Sequence, residues 1–197
     1  MPSTITFVTT NQNKLRAVIE HTQPFGVTVV AKALPLVEPQ ADSIEAVALS
    51  KAKQAFQILG APVMVEDSGF CIDELSGFPG PYAKYILETI EIRGLLNLAV
   101  NLESRKCRFV SALVYLDQEE QAHSFVDDGN MGTLTRTIDQ TPCEEAWSDF
   151  WRIVIPMGAS KPLTALSPDE RNAIFLQWQT NSVYTRFGKW FRKQSIT

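Results

Sequence analysis

Two short segments carry residue types that could do chemistry. In Val65-Glu66-Asp67-Ser68-Gly69 an apolar run from Pro62 stops at two acids and a Gly-containing turn. Thr9-Thr10-Asn11-Gln12-Asn13-Lys14 makes the same strand-to-turn transition but ends in a cation. Carboxylates set where a strand ends are placed to hold something. Hydroxyls, an amide and exposed backbone N–H groups at a helix start suit phosphate oxygens. Together the segments suggest a site that takes phosphate at one end and metal at the other.

Lys14 falls in the first turn of its expected helix, where the macrodipole disfavours a cation by roughly 0.3–1 kcal/mol at an exposed site. A nearby anion reverses that sign; an ordinary Asn cap beside a solvated lysine is the plain alternative. Lys51 is the stronger clue, because it lies at helical spacing from Val47, Ala48 and Ala55, inside the apolar stripe. An ammonium there either reaches out to water or finds an anion, since burying it unpaired costs on the order of several kcal/mol. Glu38, Glu66 and Asp67 are the candidate metal ligands and base. Magnesium keeps several waters, so one or two carboxylates plus substrate phosphates suffice, and an aligned carboxylate can activate a water. His21 and His123 are isolated and read as bystanders. Gly188-Lys189 lacks the rest of a P-loop. The late basic residues Arg186, Lys189, Arg192 and Lys193 read as a solvated helix end.

These residues must be positioned by an ordinary globular chain: 197 residues, 45% hydrophobic and 20% charged, suit one domain over 1–197. A formal net charge of −4 argues against broad nucleic-acid or membrane binding. Three scattered cysteines, Cys71, Cys107 and Cys143, show no zinc or redox spacing and read as free thiols. No signal-peptide pattern and no long apolar run is present, so we expect a cytoplasmic protein.

Thr4 to Thr9 is β-branched and nearly unalternating, as in a strand covered on both faces of a parallel sheet. A helix follows from Asn11, a strand near Val27–Ala31, and a proline-punctuated loop from Pro35 to Asp42. Asp42 or Ser43 caps the helix that bears Lys51, and Gly60 closes it. After the strand ending at Asp67, Gly77-Phe78-Pro79-Gly80-Pro81 introduces a helix from about Tyr82 to Leu102. Cys107–Leu116 and Gln121–Asp127 read as a hairpin, and Trp151–Ile155 as a strand. Ser167-Pro168-Asp169-Glu170 is a capping box with proline at the first helical position. A last helix presents Val183, Tyr184, Phe187 and Phe191 on one side.

Five segments in register, Phe7 to Lys14, Glu38-Pro39-Gln40, Lys51-Ala52, Glu66-Asp67-Ser68-Gly69 and Gly77 to Tyr82, resemble the inosine triphosphate pyrophosphatase family. The resemblance covers roughly Thr4 to Gly132. It implies an α/β fold with an elongated, twisted mixed sheet flanked by helices, two lobes around a central cleft, and a homodimer. It implies magnesium-dependent hydrolysis of nucleoside triphosphates between the α and β phosphates, with deaminated purines such as inosine or xanthosine triphosphate preferred. By position, Thr9, Asn11, Lys14 and Lys51 resemble the triphosphate-binding residues, Glu38 a magnesium-site acid, and Asp67 the metal-site acid that activates water. Ser68 belongs with the substrate-binding residues and shapes the turn with Gly69; Glu66 has a supporting part.

The second half departs from the family pattern. Glu145-Ala146-Trp147-Ser148-Asp149-Phe150-Trp151 holds its aromatic and acidic elements out of register, and Arg171-Asn172-Ala173-Ile174-Phe175-Leu176-Gln177 lacks its Ser-His-Arg run. A missing recognition donor can remove several kcal/mol of discrimination. Asp149 and Arg171 remain as groups that could address a base, and Trp147 or Trp151 could stack on one or simply pack. The leading expectation is a pyrophosphatase with altered base preference. Its rivals are a nucleotide- or phosphometabolite-binding protein without catalysis on the same fold, and a structural dimer module.

Overall fold

A computed structural model describes residues 4–194, in which seven strands and six α-helices alternate early and segregate later. The strands are β1 (Thr4–Val8), β2 (Thr28–Lys32), β3 (Val63–Ile72), β4 (Pro79–Gly80), β5 (Lys106–Leu116), β6 (Ala122–Leu134) and β7 (Val154–Pro156). The helices are α1 (Gln12–Thr22), α2 (Ile44–Leu59), α3 (Ala83–Thr89), α4 (Glu91–Leu98), α5 (Pro168–Gln179) and α6 (Val183–Gln194). Strand order is β2-β1-β3-β5-β6-β7, with β4 on β3. The sheet is mixed, as expected: β1 runs parallel to β2 and β3, whereas β3–β4 and β6–β7 are antiparallel.

The chain divides into two compact units. The first comprises residues up to Ser68, Ser111–Asp127, and the chain from Gln179. Its core joins Ile5, Phe7 and Met64 of the sheet to Val18 of α1 and to Val183, Tyr184 and Phe187 of α6. Gly188 in α6 allows a close approach, since a Cβ there would stand 2.3 Å from the Phe25 ring. The second unit, Gly69–Val110 with Asp128–Trp178, has its own core around Phe70, Leu95, Phe150, Trp151 and Leu163.

The first unit follows from local signals. Asn11 caps α1, and Ser43 rather than Asp42 caps α2, its hydroxyl accepting from Ala46 N–H at 3.1 Å. Gly60 ends α2 at φ +61°, a left-handed conformation that glycine adopts without a Cβ penalty. Order β2-β1-β3 with right-handed crossovers puts α1 and α2 on opposite faces of the sheet. The expected helix from Thr180 onward is α6, with Val183, Tyr184 and Phe187 buried. In the second unit the capping box at Ser167 is realised both ways: Ser167 N–H donates to Glu170 Oε2 at 2.7 Å, and Glu170 N–H to Ser167 Oγ at 3.3 Å.

Four expectations are corrected. β3 does not stop at Asp67 but runs on to Ile72, because Phe70, Cys71 and Ile72 are buried, Phe70 and Cys71 pair with Gly80 and Pro79, and Ile72 N–H donates to Phe78 C=O. Asp67-Ser68-Gly69 therefore lies inside a strand, not in a turn; burial on both sides overrides the turn signal. The helix expected over Tyr82–Leu102 breaks into α3 and α4, where Glu91 takes φ +58°. Trp151–Ile155 is not one strand: Asp149–Arg152 forms a short 3₁₀ turn capped by Ser148, and pairing begins only at Val154. The hairpin stands, but its second strand continues past Asp127 to Leu134.

Candidate active site

Adjacent residues on a strand point to opposite faces, so Glu66 and Asp67 meet different helices. Glu66 Oε2 lies 2.7 Å from the Lys14 ammonium of α1. Asp67 Oδ1 lies 3.4 Å from the Lys51 ammonium of α2, which also stands 3.2 Å from Glu38 Oε2. Lys51 has thus found an anion, and that anion is a pair of carboxylates. The two lysines and three acids come together at the C-terminal end of β1, beside the point where the chain turns to opposite sides of the sheet. Open α/β sheets place their ligand crevices at such a position.

Thr9 and Asn11 complete this end. Asn11 Oδ1 accepts from the N–H groups of Asn13 and Lys14 at 2.9 and 3.2 Å, and Thr9 Oγ1 accepts from Asn11 N–H at 3.0 Å. The backbone amides expected to meet phosphate directly are therefore capped from within. The same bonds leave the Thr9 hydroxyl proton and the Asn11 side-chain NH₂ as outward donors. A cavity of about 260 Å³ opens here, lined by Thr9, Asn11, Lys14, Glu38, Lys51 and Glu66 among others.

Glu38 sits on an irregular loop, yet its place is set. Gln54, one turn beyond Lys51 on α2, binds Val37 twice: its Oε1 accepts from Val37 N–H and its Nε2 donates to Val37 C=O, both at 2.8 Å. This clamp holds Glu38 opposite Lys51. Gln54 is a positioning residue that the sequence reading missed; only its helical offset from Lys51 pointed to it.

Burial dominates the electrostatics. It pushes the Asp67 carboxyl above its ordinary value, Lys51 and then Lys14 pull it back, and Glu66 and Glu38 push it up again, with a net rise. Burial alone would lower the Lys14 ammonium, but the charge and hydrogen bond of Glu66, with Asp67 and Glu38 behind, raise it overall. Tyr184 on α6 is the second missed residue. Burial first, then the charge of Glu66 and a hydrogen bond to it, hold its phenol well above the ordinary value.

The remaining expected residues lie elsewhere. Ser68 follows Asp67 within β3, half-buried. In the second unit Asp149 is exposed, 3.7 Å from Arg152. Arg171 is 5% exposed, and its guanidinium is committed to structure: it donates to the carbonyls of Leu163 and Leu166 and to Glu145. Arg171, expected as a group that could address a base, here spends its donors on closing the loop that precedes α5. Trp151 is a core residue, whereas Trp147 is 53% exposed, packs edge-on against Trp151 and Phe109, and lines a second cavity of about 450 Å³ with Asp149 and Arg152. Phe175 packs against Trp151 and Trp178, at centroid distances of 5.3 and 5.5 Å. His21 contacts Ser182 and His123 contacts Asp117, both away from the lysines. Arg186 is not a merely solvated end group, since it donates to Val126 C=O and to Asn181.

Two carboxylates that already share one ammonium form a donor set suited to a divalent cation that completes its shell with phosphate and water. Among the described residues no group of three His, Cys, Asp or Glu side chains could hold a metal unaided. Among them, too, no helix is long and apolar enough to cross a membrane.

Comparison with known proteins shows what the whole chain is similar to. The model of the Ham1 family matches residues 5–177. A dITP/XTP pyrophosphatase from Hyperthermus butylicus is 35% identical over 168 residues, covering 85% of each chain. An inosine triphosphate pyrophosphatase from Tuber melanosporum is 37% identical over 117 residues, 59% of this chain and 63% of its own. A HAM1 protein from Coxiella burnetii shares the fold, with a TM-score of 0.76 over 96% of this chain and 98% of its own, at 17% identity.

Proposed function

This chain belongs to the Ham1 family, and from that premise we propose that it is a nucleoside triphosphate pyrophosphatase. It cleaves (deoxy)nucleoside triphosphates between the α and β phosphates, releasing a monophosphate and pyrophosphate. Non-standard purine nucleotides, the substrates in the names of its relatives, are the substrate class proposed. The observation that carries this reading is the meeting of two lysine ammonium groups, the Thr9 and Asn11 donors and Glu38 at one cavity, with Asp67 joined to them 3.4 Å from the Lys51 ammonium.

In this reading Lys14, Lys51, Thr9 and Asn11 hold the triphosphate oxygens. Asp67 orients a water and takes its proton as the water oxygen bonds to the α phosphorus; the bridging bond breaks and the electron pair leaves with pyrophosphate. The lysines neutralise the charge that grows on the leaving group. Magnesium, held by Glu38 and Asp67 together with phosphate oxygens, would polarise the phosphates and stabilise that charge. A homodimer and a cytoplasmic location complete the reading, with sedimentation velocity as the check on the first.

A panel of triphosphates with magnesium, assayed for pyrophosphate, tests the proposal. Folded protein that releases pyrophosphate from none of them would sink it. A second reading, nucleotide binding without catalysis, is favoured by one observation: Phe175, in the segment where the family's Ser-His-Arg run is absent, packs against Trp151 and Trp178 instead of presenting a polar group. Nucleotide-induced thermal stabilisation with no pyrophosphate released would select it.

A further inference from the structure

The two lysines are not equivalent. Lys14 is paired with Glu66, whose side chain is 3% exposed, so its departure would strand a buried carboxylate. Lys51 is paired with Glu38, 54% exposed, and with Asp67. Glu38 can turn to water, and Asp67 can accept another cation, so Lys51 can leave without stranding a charge. Lys14 keeps Glu66 and meets an incoming anion with its remaining ammonium protons.

We propose that Lys51 is an internal counter-ion that keeps the Glu38–Asp67 pair closed to divalent cations until a triphosphate draws its ammonium away. The inference rests on the pyrophosphatase reading for the identity of the anion. Its basis is local charge. A divalent cation arriving alone at Glu38 and Asp67 meets the Lys51 ammonium, 3.2 and 3.4 Å from their oxygens. A triphosphate arriving alone meets three carboxylates, Glu38, Glu66 and Asp67. When both arrive, Lys51 moves to phosphate oxygens, the cation takes its place between the carboxylates, and each repulsion becomes an attraction. Metal and nucleotide therefore bind as a coupled pair, each raising the affinity for the other. The Gln54 clamp on Val37 holds the backbone of the loop that carries Glu38, so side chains move in the exchange and the loop stays.

Manganese binding to nucleotide-free protein, read by electron paramagnetic resonance, tests this without reference to activity. Wild type should bind Mn²⁺ weakly. Lys51→Met should bind it at least tenfold more tightly, and Lys51→Gln should show the same direction if the methionine variant does not fold. A folded variant that gains no Mn²⁺ affinity overturns the proposal, as does a strong Mn²⁺ site in nucleotide-free wild type. The pyrophosphate assay on wild type is a separate readout. A variant that gains Mn²⁺ while wild type hydrolyses nothing supports the counter-ion and rejects the pyrophosphatase reading; active wild type with no gain in the variants does the reverse.

Discussion

The Lys14 ammonium and the Glu66 carboxylate meet at 2.7 Å, with the acid side chain only 3% exposed. This pair ties the first turn of α1 to the middle of β3. Two residues that resemble a phosphate ligand and a supporting acid are thus one unit, and neither can be changed without leaving the other in a poor environment.

Glu66→Gln should therefore destabilise the protein strongly. Breaking a buried pair on one side costs about 3–5 kcal/mol, and each kcal/mol lowers the melting temperature of a chain this size by about 2–4 °C. Chemical denaturation measures it, and the double variant Lys14→Met/Glu66→Gln should lose less than the two single losses summed. The raised Lys14 value fixes the sign with pH on the basic side: the contribution of the Lys14 ammonium is complete below its ordinary 10.5 and disappears as pH rises through the higher folded value. Glu66→Gln with wild-type stability at pH 8 would contradict the pairing.

Asp67→Asn should separate activity from stability. Loss of the proposed base should cost on the order of 10²–10⁴-fold in turnover. Stability should rise, because a carboxyl whose folded pKa lies above 3.8 stabilises the fold while protonated and withdraws that contribution as pH climbs through the folded value. At neutral pH the amide avoids this penalty. Thermal melts at pH 7 without metal check it; a melting temperature below wild type would mean that the Lys51 contact outweighs burial.

The same carboxyl reports on Lys51. In metal-free protein Asp67 should titrate above 3.8, and Lys51→Met should move it higher, since Lys51 is the largest attraction holding it down. Carboxyl ¹³C shifts followed against pH measure both. An unchanged titration in the variant would place Lys51 away from Asp67 in solution.

Arg171→Lys should damage the fold and leave base choice alone. Its guanidinium reaches two backbone carbonyls and Glu145 from a nearly buried position, and hydrogen bonds to charged groups contribute about 1.5–3 kcal/mol. The melting temperature should fall, while the ratio of kcat/KM between inosine and adenosine triphosphates stays at the wild-type value. A changed ratio would return Arg171 to substrate recognition.

Residue type and spacing alone made Lys14, Lys51, Glu38, Glu66 and Asp67 candidates, because a cation in a first helical turn, a lysine in an apolar stripe and acids that end an apolar run stand out locally; the family resemblance then favoured Asp67 over Glu66. The capping box at Ser167, the Gly60 stop and the parallel early strands were legible for the same reason: they are settled within a few residues. What the sequence could not decide was direction. Glu66 and Asp67 read as a strand-end pair, but β3 continues to Ile72 because Pro79–Gly80 pairs with it and the core buries its far half. Period-two alternation then sends the acids to opposite faces, one to Lys14 and one to Lys51. Tyr184, far along the chain on α6, reaches Glu66 only through packing of that helix. Arg171 looked available because its partners are a carboxylate 26 residues away and two carbonyls, which no local pattern marks. The sequence by itself determined which groups could do the chemistry; only the tertiary structure decided which charge faces which, since pairing depends on strand extent and helix placement rather than on spacing along the chain.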